Sequence, residues 1–192
     1  MEEQILDQCI MQNSKTTTYI KLVIGLLFAW YFMSSAFSTG EWHFIDNVDL
    51  IIHEAGHWIF IFFGQFVSIL GGSFTQVFIP IIFALYFLIK KDIYSVSILA
   101  MWVGYNIVNV SVYMADSIKM TLPLLGGESS IHDWNYIFSA LHILNKTNAI
   151  ASTVNAFGVF VIIAGAVFAF RVCFLELSGA KKLNSTKPID FK

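Results

Sequence analysis

Residues 51–63 read IIHEAGHWIFIFF, so two histidines and a glutamate interrupt a run of apolar residues. The run contains no proline, and we expect it to be helical. On a helix, residues four positions apart lie on one face, about one turn from each other. His53 and His57 have this spacing, so both imidazoles can bind one metal ion, and Glu54 can reach a water on that metal. The apolar flanks predict a metal site at membrane depth.

The composition of the whole chain indicates a membrane protein. Of its 192 residues, 57% are hydrophobic and 12% are charged, and the mean hydropathy is +0.70. Soluble domains carry roughly twice that charged fraction. Because several apolar stretches reach membrane-spanning length, we expect one integral membrane domain over residues 1–192, in contact with the lipid bilayer. The net charge of −2 gives no indication of nucleic-acid binding.

Five hydrophobic segments predict an all-α, polytopic membrane helix bundle with about five transmembrane helices. They cover residues 19–37, 44–63, 74–89, 93–115 and 151–175. Glycines at positions 64, 71 and 72 follow the second segment. They predict either a tight turn between two helices or an irregular loop beside the metal site. Residues 178–192 are expected to form a short tail.

A polar loop, residues 116–148, joins the last two segments and carries a helical pattern of its own. Four of its apolar residues recur at helical spacing: Ile131, Trp134, Phe138 and Leu141. Ser130 could cap the start of this helix. The pattern predicts an amphipathic helix that lies at the membrane interface or against the bundle.

Basic residues near the ends of the segments predict the orientation in the membrane. With five spans, the two termini face opposite sides. The side of the N-terminus then holds four basic residues, Lys15, Lys21, Lys119 and Lys146. The other side holds seven, Lys90, Lys91, Arg171, Lys181, Lys182, Lys187 and Lys192. The excess favours a multi-pass protein with a cytoplasmic C-terminus and an outside loop at 116–148.

The histidine pair and the glutamate between them predict hydrolytic metal chemistry. His53 and His57 would bind Zn²⁺ as neutral imidazoles. Glu54 would take a proton from a water on the metal and later pass it to a leaving group. The alternative is a buried polar cluster in which the three side chains satisfy one another. Charged groups within spans are costly and rare without a function, so the metal site is favoured.

A catalytic zinc usually has three protein ligands, and two residues are candidates for the third. His132 is preferred, because imidazole is a common zinc ligand and the loop has freedom to reach the site. The neighbouring Asp133 could orient that imidazole. Asp116 is the alternative, at the end of a polar stripe along the fourth segment.

The sequence HEAGH within a predicted span resembles the motif of the site-2-protease-like intramembrane zinc metallopeptidases. In that family the motif lies on one core span, and an aspartate two spans later completes the site. His53, Glu54 and His57 match the motif, and Asp116 matches the aspartate in order. The resemblance covers about residues 44–120. It implies a zinc-dependent peptidase that cleaves a membrane-embedded or membrane-proximal peptide.

Two other functions are compatible with the same residues. A metal-dependent hydrolase of a lipid or another amphiphile would use the same chemistry on a different substrate. A non-enzymatic membrane scaffold or metal carrier with a degenerate site would not depend on Glu54. The sequence does not indicate an oligomeric state.

Overall fold

The computed structural model describes residues 2–38, 41–122 and 131–179, with side chains from residue 15 onward. These residues form helices and their connections, without a strand, and this confirms the all-α class. The α-helices are α1 (Glu2–Phe37), α2 (Phe44–Ile59), α3 (Gln65–Ile89), α4 (Ile93–Ala115), α5 (Asp133–Ala140) and α6 (Thr147–Leu177). Short 3-10 helices, Ile61–Phe63 and Leu144–Lys146, precede α3 and α6.

Within the described part of the chain, four helical segments are long and apolar enough to cross a membrane. They are Lys15–Phe37, Gln65–Ile89, Ile93–Ala115 and Leu144–Leu177. The helix with the two histidines, α2, is not among them. Its 16 residues extend about 24 Å, less than the hydrocarbon core of about 30 Å. The described residues therefore give four candidate spans where the sequence predicted about five.

The connection between α2 and α3 is a tight turn. Gly64 has a φ of 90°, in the left-handed region that glycine adopts without steric cost. Gly71 and Gly72 lie inside α3, which begins at Gln65. The prediction that the third helix begins near residue 74 was therefore wrong, because these glycines face a neighbouring helix and do not end their own.

The helices α1 and α4 run in the same direction. At the start of α4, the Tyr94 hydroxyl donates to the backbone carbonyl of Lys21 at 2.6 Å. Farther along both helices, the rings of Phe32 and Tyr105 pack with centroids 5.7 Å apart. The short connection from α3 to α4 makes that pair antiparallel.

The helix α6 runs in the opposite direction to α4. At its start, Thr147 Oγ1 lies 3.2 Å from Ser117 Oγ, just beyond the end of α4. At its other end, Glu176 accepts a hydrogen bond from Lys21 Nζ at 2.9 Å. The membrane-spanning part of α1 thus begins at the end of the bundle where α6 finishes. This corrects the expectation that the two terminal helices end on opposite sides, which depended on an odd number of spans.

Close contact between α4 and α6 forms the centre of the bundle. A Cβ on Gly104 would lie 2.7 Å from the Gly158 carbonyl oxygen, and one on Gly158 would lie 2.8 Å from that of Gly104. Two such glycines let the helix backbones approach closely. Met101 and Ile162, each about one turn from one of these glycines, are fully buried. This contact fixes α4, which carries residues beside the candidate site.

The predicted amphipathic loop helix is present as α5, and it packs against the bundle. Trp134 and Phe138 are buried, and the Trp134 indole N–H donates to Ser73 Oγ on α3 at 3.1 Å. The helix begins after His132, whose Nδ1 accepts the backbone N–H of Asn135 at 3.2 Å. The predicted cap, Ser130, lies outside the described residues.

Candidate metal centre

Three side chains from two helices converge on one point. Asp133 Oδ2 lies 2.9 Å from His53 Nε2 and 3.3 Å from His57 Nε2. These ligand atoms all lie within 4.8 Å of one another. His53 and Asp133 are buried, and His57 is half-buried. The one-turn spacing on α2 brings the imidazoles together, as the sequence predicted, and the first residue of α5 supplies the carboxylate.

The far nitrogen of each imidazole is held by α3. His53 Nδ1 lies 3.0 Å from Gln76 Oε1, and His57 Nδ1 lies 2.9 Å from the Ser68 backbone carbonyl oxygen. Both partners are acceptors, so each Nδ1 carries the proton. Each Nε2 is then free to offer its lone pair to a metal.

Glycines give the two imidazoles their space between α2 and α3. A Cβ on Gly72 would lie 2.6 Å from His53 Nε2 and 2.6 Å from His57 Cε1. A Cβ on Gly56 would overlap the Gly71 carbonyl group. The missing Cβ atoms therefore allow the helices to touch and leave the ligand nitrogens unobstructed.

Asp133 is held in its charged form by the histidines. Burial by itself would raise the pKa of Asp133, but hydrogen bonds from the Nε2 atoms of His53 and His57, when these imidazoles are protonated and no metal is bound, outweigh it, and the pKa lies below its usual value. Its backbone N–H also donates to the Tyr113 hydroxyl on α4 at 3.2 Å. A carboxylate that stays ionised and fixed in place is suited to bind a cation.

His132 and Asp116, the two residues predicted as third ligand, do not join the histidine pair. The nitrogens of His132 are directed elsewhere, since Nδ1 caps α5 and Nε2 lies 3.4 Å from Asp116 Oδ2. Its ring packs on Tyr113 with centroids 4.4 Å apart. Asp116 accepts the backbone N–H groups of Thr121 and Leu122, each at 3.0 Å. Asp133 takes the position expected for them, because the start of α5 turns the carboxylate, not the imidazole, toward α2.

One signal in the sequence could have indicated Asp133. Asp133 precedes Ile137 by four residues, and Ile137 is buried in the bundle core. A residue four positions before a core residue lies on the same helix face. A carboxylate on the apolar face of an amphipathic helix is costly unless it is paired. The pattern of the loop helix thus pointed to Asp133 as a candidate ligand, whereas the sequence alone had suggested only an orienting role for it.

A cavity of about 450 Å³ adjoins the three side chains. Glu54 lines it together with His53, His57 and Asp133. Its volume is in the range of small-ligand sites. At the rim lie residues from the connections that follow α1 and α4, among them Glu41, Trp42, Leu122 and Ile131. Glu41 and Trp42 are exposed, so the cavity reaches the surface beside them.

No protein-family model, curated protein or solved structure matches the chain. The donor set of the centre is two imidazoles and one carboxylate. That set binds catalytic zinc, and it also suits Fe²⁺. Around a tetrahedral zinc with bonds of about 2.0–2.1 Å, ligand atoms lie roughly 3.3 Å apart. The separations of Asp133 Oδ2 from the two Nε2 atoms, 2.9 and 3.3 Å, are close to that value.

Proposed function

We propose that the chain is an intramembrane zinc metallopeptidase, with His53, His57 and Asp133 as metal ligands and Glu54 as general base. The convergence of the three ligand atoms within 4.8 Å carries the proposal. Three protein ligands leave a fourth position open, which is the arrangement of catalytic zinc sites. The resemblance of HEAGH to the site-2-protease-like motif supports a peptide as substrate.

The chain's own residues account for the main steps of such a hydrolysis. Zinc, when bound, lowers the pKa of a coordinated water and polarises a carbonyl group. Glu54 follows His53 directly and faces the same cavity. It accepts a proton from the attacking water and returns it to the leaving amine. Gln76 and the Ser68 carbonyl hold the two imidazoles in the orientation that binding requires.

The exposed surface of α2 and of the turn after it supports a site at membrane depth. Ile51 is 71% exposed, Trp58 73% and Phe62 93%. Together these residues form an apolar surface. If lipid chains cover this surface, it is not exposed to water. We therefore propose that α2 lies within the bilayer but does not span it. The bilayer and a membrane-embedded or membrane-proximal peptide are the partners of this site.

The distribution of charge supports an orientation of the bundle in the membrane. At one end of the bundle, which we call the basic end, the span of α1 begins, α3 connects to α4, and α6 ends. The basic residues of this end are Lys15, Lys21, Lys90, Lys91 and Arg171. The site end, with the metal centre and α5, carries Lys119 and Lys146. The sequence continues beyond α6 with four more lysines. Because basic residues accumulate on the cytoplasmic side, the C-terminus is cytoplasmic and the metal centre lies toward the opposite surface.

Metal analysis of the purified protein tests the ligand set. We expect one zinc per chain in the wild type, loss of that zinc in Asp133→Ala, and retention in His132→Ala, because His132 only caps α5 and contacts Asp116. Elemental analysis also detects iron, which the same donors can bind. A wild type without metal, or Asp133→Ala with full zinc, would contradict the proposed centre.

Turnover of peptides tests the enzyme. Transmembrane peptides are incubated with wild type and Glu54→Gln, both loaded with zinc. The glutamine keeps the shape of the side chain but cannot accept the proton. We expect it to slow cleavage by about 10²-fold or more at unchanged zinc content. Equal cleavage by both proteins would rule out Glu54 as the base, and cleavage of lipids alone would identify a different hydrolase.

A further inference from the structure

A continuous file of hydrogen bonds joins the candidate metal centre to a buried aspartate on the same helix. Gln76 Oε1 lies 3.0 Å from His53 Nδ1, and Gln76 Nε2 donates a hydrogen bond to Asn109 Oδ1 at 2.9 Å. Asn109 in turn donates its amide to Asp46 Oδ1 at 3.2 Å. Four side chains from α2, α3 and α4 are thereby linked in one direction, from the imidazole to the carboxylate.

The direction of this file is set at the carboxylate. An ionised aspartate only accepts hydrogen bonds, whereas an amide offers a donor on one side and an acceptor on the other. Asn109 must therefore turn its NH₂ group toward Asp46 and its oxygen toward Gln76. Gln76 must then turn its oxygen toward His53. The His53 imidazole can donate to the Gln76 oxygen only with a proton on Nδ1. In the neutral ring this leaves the Nε2 lone pair for a metal.

Asp46 is well fixed as the anchor of the file. It is 4% exposed, and the Tyr105 hydroxyl donates to its Oδ1 at 2.6 Å. The backbone N–H of His43 donates to its Oδ2 at 2.6 Å, and His43 Nδ1 lies 3.5 Å from the same atom. The Tyr105 hydroxyl, the His43 backbone N–H and the Asn109 amide thus all donate to the carboxylate, and both of its oxygens act as acceptors.

We propose that Asp46 is a positioning residue for the metal centre, which sets the Nδ1-protonated form of His53 through Asn109 and Gln76. This proposal rests on the proposed zinc site. The second imidazole does not depend on the file. His57 Nδ1 faces the Ser68 backbone carbonyl oxygen at 2.9 Å, an acceptor that no side-chain substitution reverses. The two ligands of one metal are therefore oriented by independent means, and His57 is an internal control.

Asp46 also has a structural role, from which the proposed one must be separated. It is the third residue of α2, and its carboxylate accepts the N–H of the residue before the helix, His43. Loss of this cap would weaken the start of α2 and could disturb the site indirectly. The test therefore needs a readout that depends on Gln76 and not on the cap.

A double-mutant cycle on zinc affinity supplies that readout. The variants are Asp46→Asn, Gln76→Glu and the two combined, with the zinc dissociation constant measured by competition with a chelator. Asp46→Asn removes the fixed direction of the file, and we expect zinc binding to weaken about tenfold or more. Gln76→Glu places an accepting carboxylate directly against His53 Nδ1. In this background Asp46→Asn should change zinc affinity less than twofold.

Asp49→Asn is the matched control. Asp49 is a buried aspartate one turn farther along α2, 1% exposed, and it accepts the Trp102 indole N–H at 2.9 Å, outside the file. We expect its substitution to leave zinc affinity unchanged. If Asp46→Asn weakens zinc binding equally in both backgrounds, or leaves it unchanged in the first, the proposal is overturned.

A second measurement separates failure of this proposal from failure of the proposed function. Nitrogen chemical shifts of the imidazoles in zinc-free protein, at a pH where both are neutral, report which nitrogen carries the proton. We expect Asp46→Asn to reduce the Nδ1-protonated fraction of His53 and to leave His57 unchanged. If the wild type binds no zinc, the proposed function fails, and this comparison still decides the role of Asp46: an unchanged His53 overturns it.

Discussion

Asp133 and His132 are neighbours with different roles, and the difference arises from one residue of helix register. At the helix start, His132 is the cap and its Nδ1 accepts a backbone N–H. Asp133 is the first helical residue and directs its carboxylate into the bundle, toward His53 and His57. Chemistry alone favours the imidazole as a zinc ligand. The cap position of His132 opposes this role, because its Nδ1 accepts a backbone N–H that would otherwise lack a partner at the start of α5.

Gly72 provides a prediction at the scale of one atom. In Gly72→Ala the new Cβ would lie 2.6 Å from His53 Nε2, so an imidazole must move away from the metal position. We expect zinc affinity to fall at least tenfold, as for other losses of ligand positioning, with helix content unchanged in circular dichroism. Alanine favours a helix more than glycine does, so unchanged helix content together with weaker zinc binding would assign the loss to the displaced imidazole.

Gly25→Ala is the control for this substitution. Gly25 also lies inside a helix, but the nearest atom to an added Cβ, the Tyr94 hydroxyl oxygen, is 3.6 Å away. This variant should bind zinc as the wild type does. Wild-type affinity in Gly72→Ala would show that the imidazoles do not occupy this space when metal is bound.

At the scale of single helices, α2 and α5 show which features the periodicity of the sequence can predict. The three residues of the motif and the helix that carries them were predictable from spacing, since one turn separates residues four apart. The loop helix was predictable from its apolar repeat at Trp134 and Phe138. The docking of α5 onto α2 was not, because it depends on distant partners such as Ser73 and Tyr113. Such contacts leave no periodic mark in either segment.

Asp116 provides a prediction about the connection from α4 to α5. Burial would raise the pKa of its carboxyl, but hydrogen bonds from Leu122, Thr121 and His132 outweigh this, and the pKa lies below the usual value. A depressed pKa in the folded state adds stability above the unfolded pKa, and this stability is lost as the pH falls through the folded pKa. We expect Asp116→Asn to cost roughly 1–3 kcal/mol at neutral pH.

Thermal unfolding in detergent at neutral and acidic pH measures this effect. The gap in midpoint temperature between wild type and Asp116→Asn should be full at neutral pH and should shrink below about pH 4, where the wild-type carboxyl becomes protonated. Glu41→Gln, which changes an exposed carboxyl, should leave the midpoint unchanged. A gap between wild type and Asp116→Asn that is the same at both pH values would show that the charge of Asp116 does not stabilise the connection.

At the scale of the whole molecule, the decisive feature is that the described residues contain an even number of long apolar helices. The contact of Glu176 with Lys21 brings the end of α6 to the start of α1's span. Five described basic residues then lie at the basic end and two at the site end. Hydropathy alone predicted α2 as a further span, and with that extra span the same basic residues are divided less unequally between the two sides. Hydropathy does not show where the helix formed by an apolar stretch begins and ends.

Labelling of single cysteines in intact cells tests this orientation. In a background without Cys9 and Cys173, Lys119→Cys should react with an impermeant maleimide added outside, because it follows α4 at the site end, where its side chain is exposed. Lys90→Cys, between α3 and α4 at the basic end, should react only after the membrane is opened. The reverse pattern would place the metal centre on the cytoplasmic side.

The sequence by itself determined the helical class, the membrane character, and the pair of histidines with the glutamate between them. Each of these depends on composition or on spacing within one helix, and both are local properties. The tertiary structure decided that Asp133 meets the two histidines, that α2 is a helix of 16 residues, and that hydrogen bonds link Asp46 to His53. Each of these depends on which residues of separate helices meet, and the meeting is set by glycine contacts such as Gly56 with Gly71 and Gly104 with Gly158. Packing between helices is a property of pairs of distant segments, so a single segment does not reveal it.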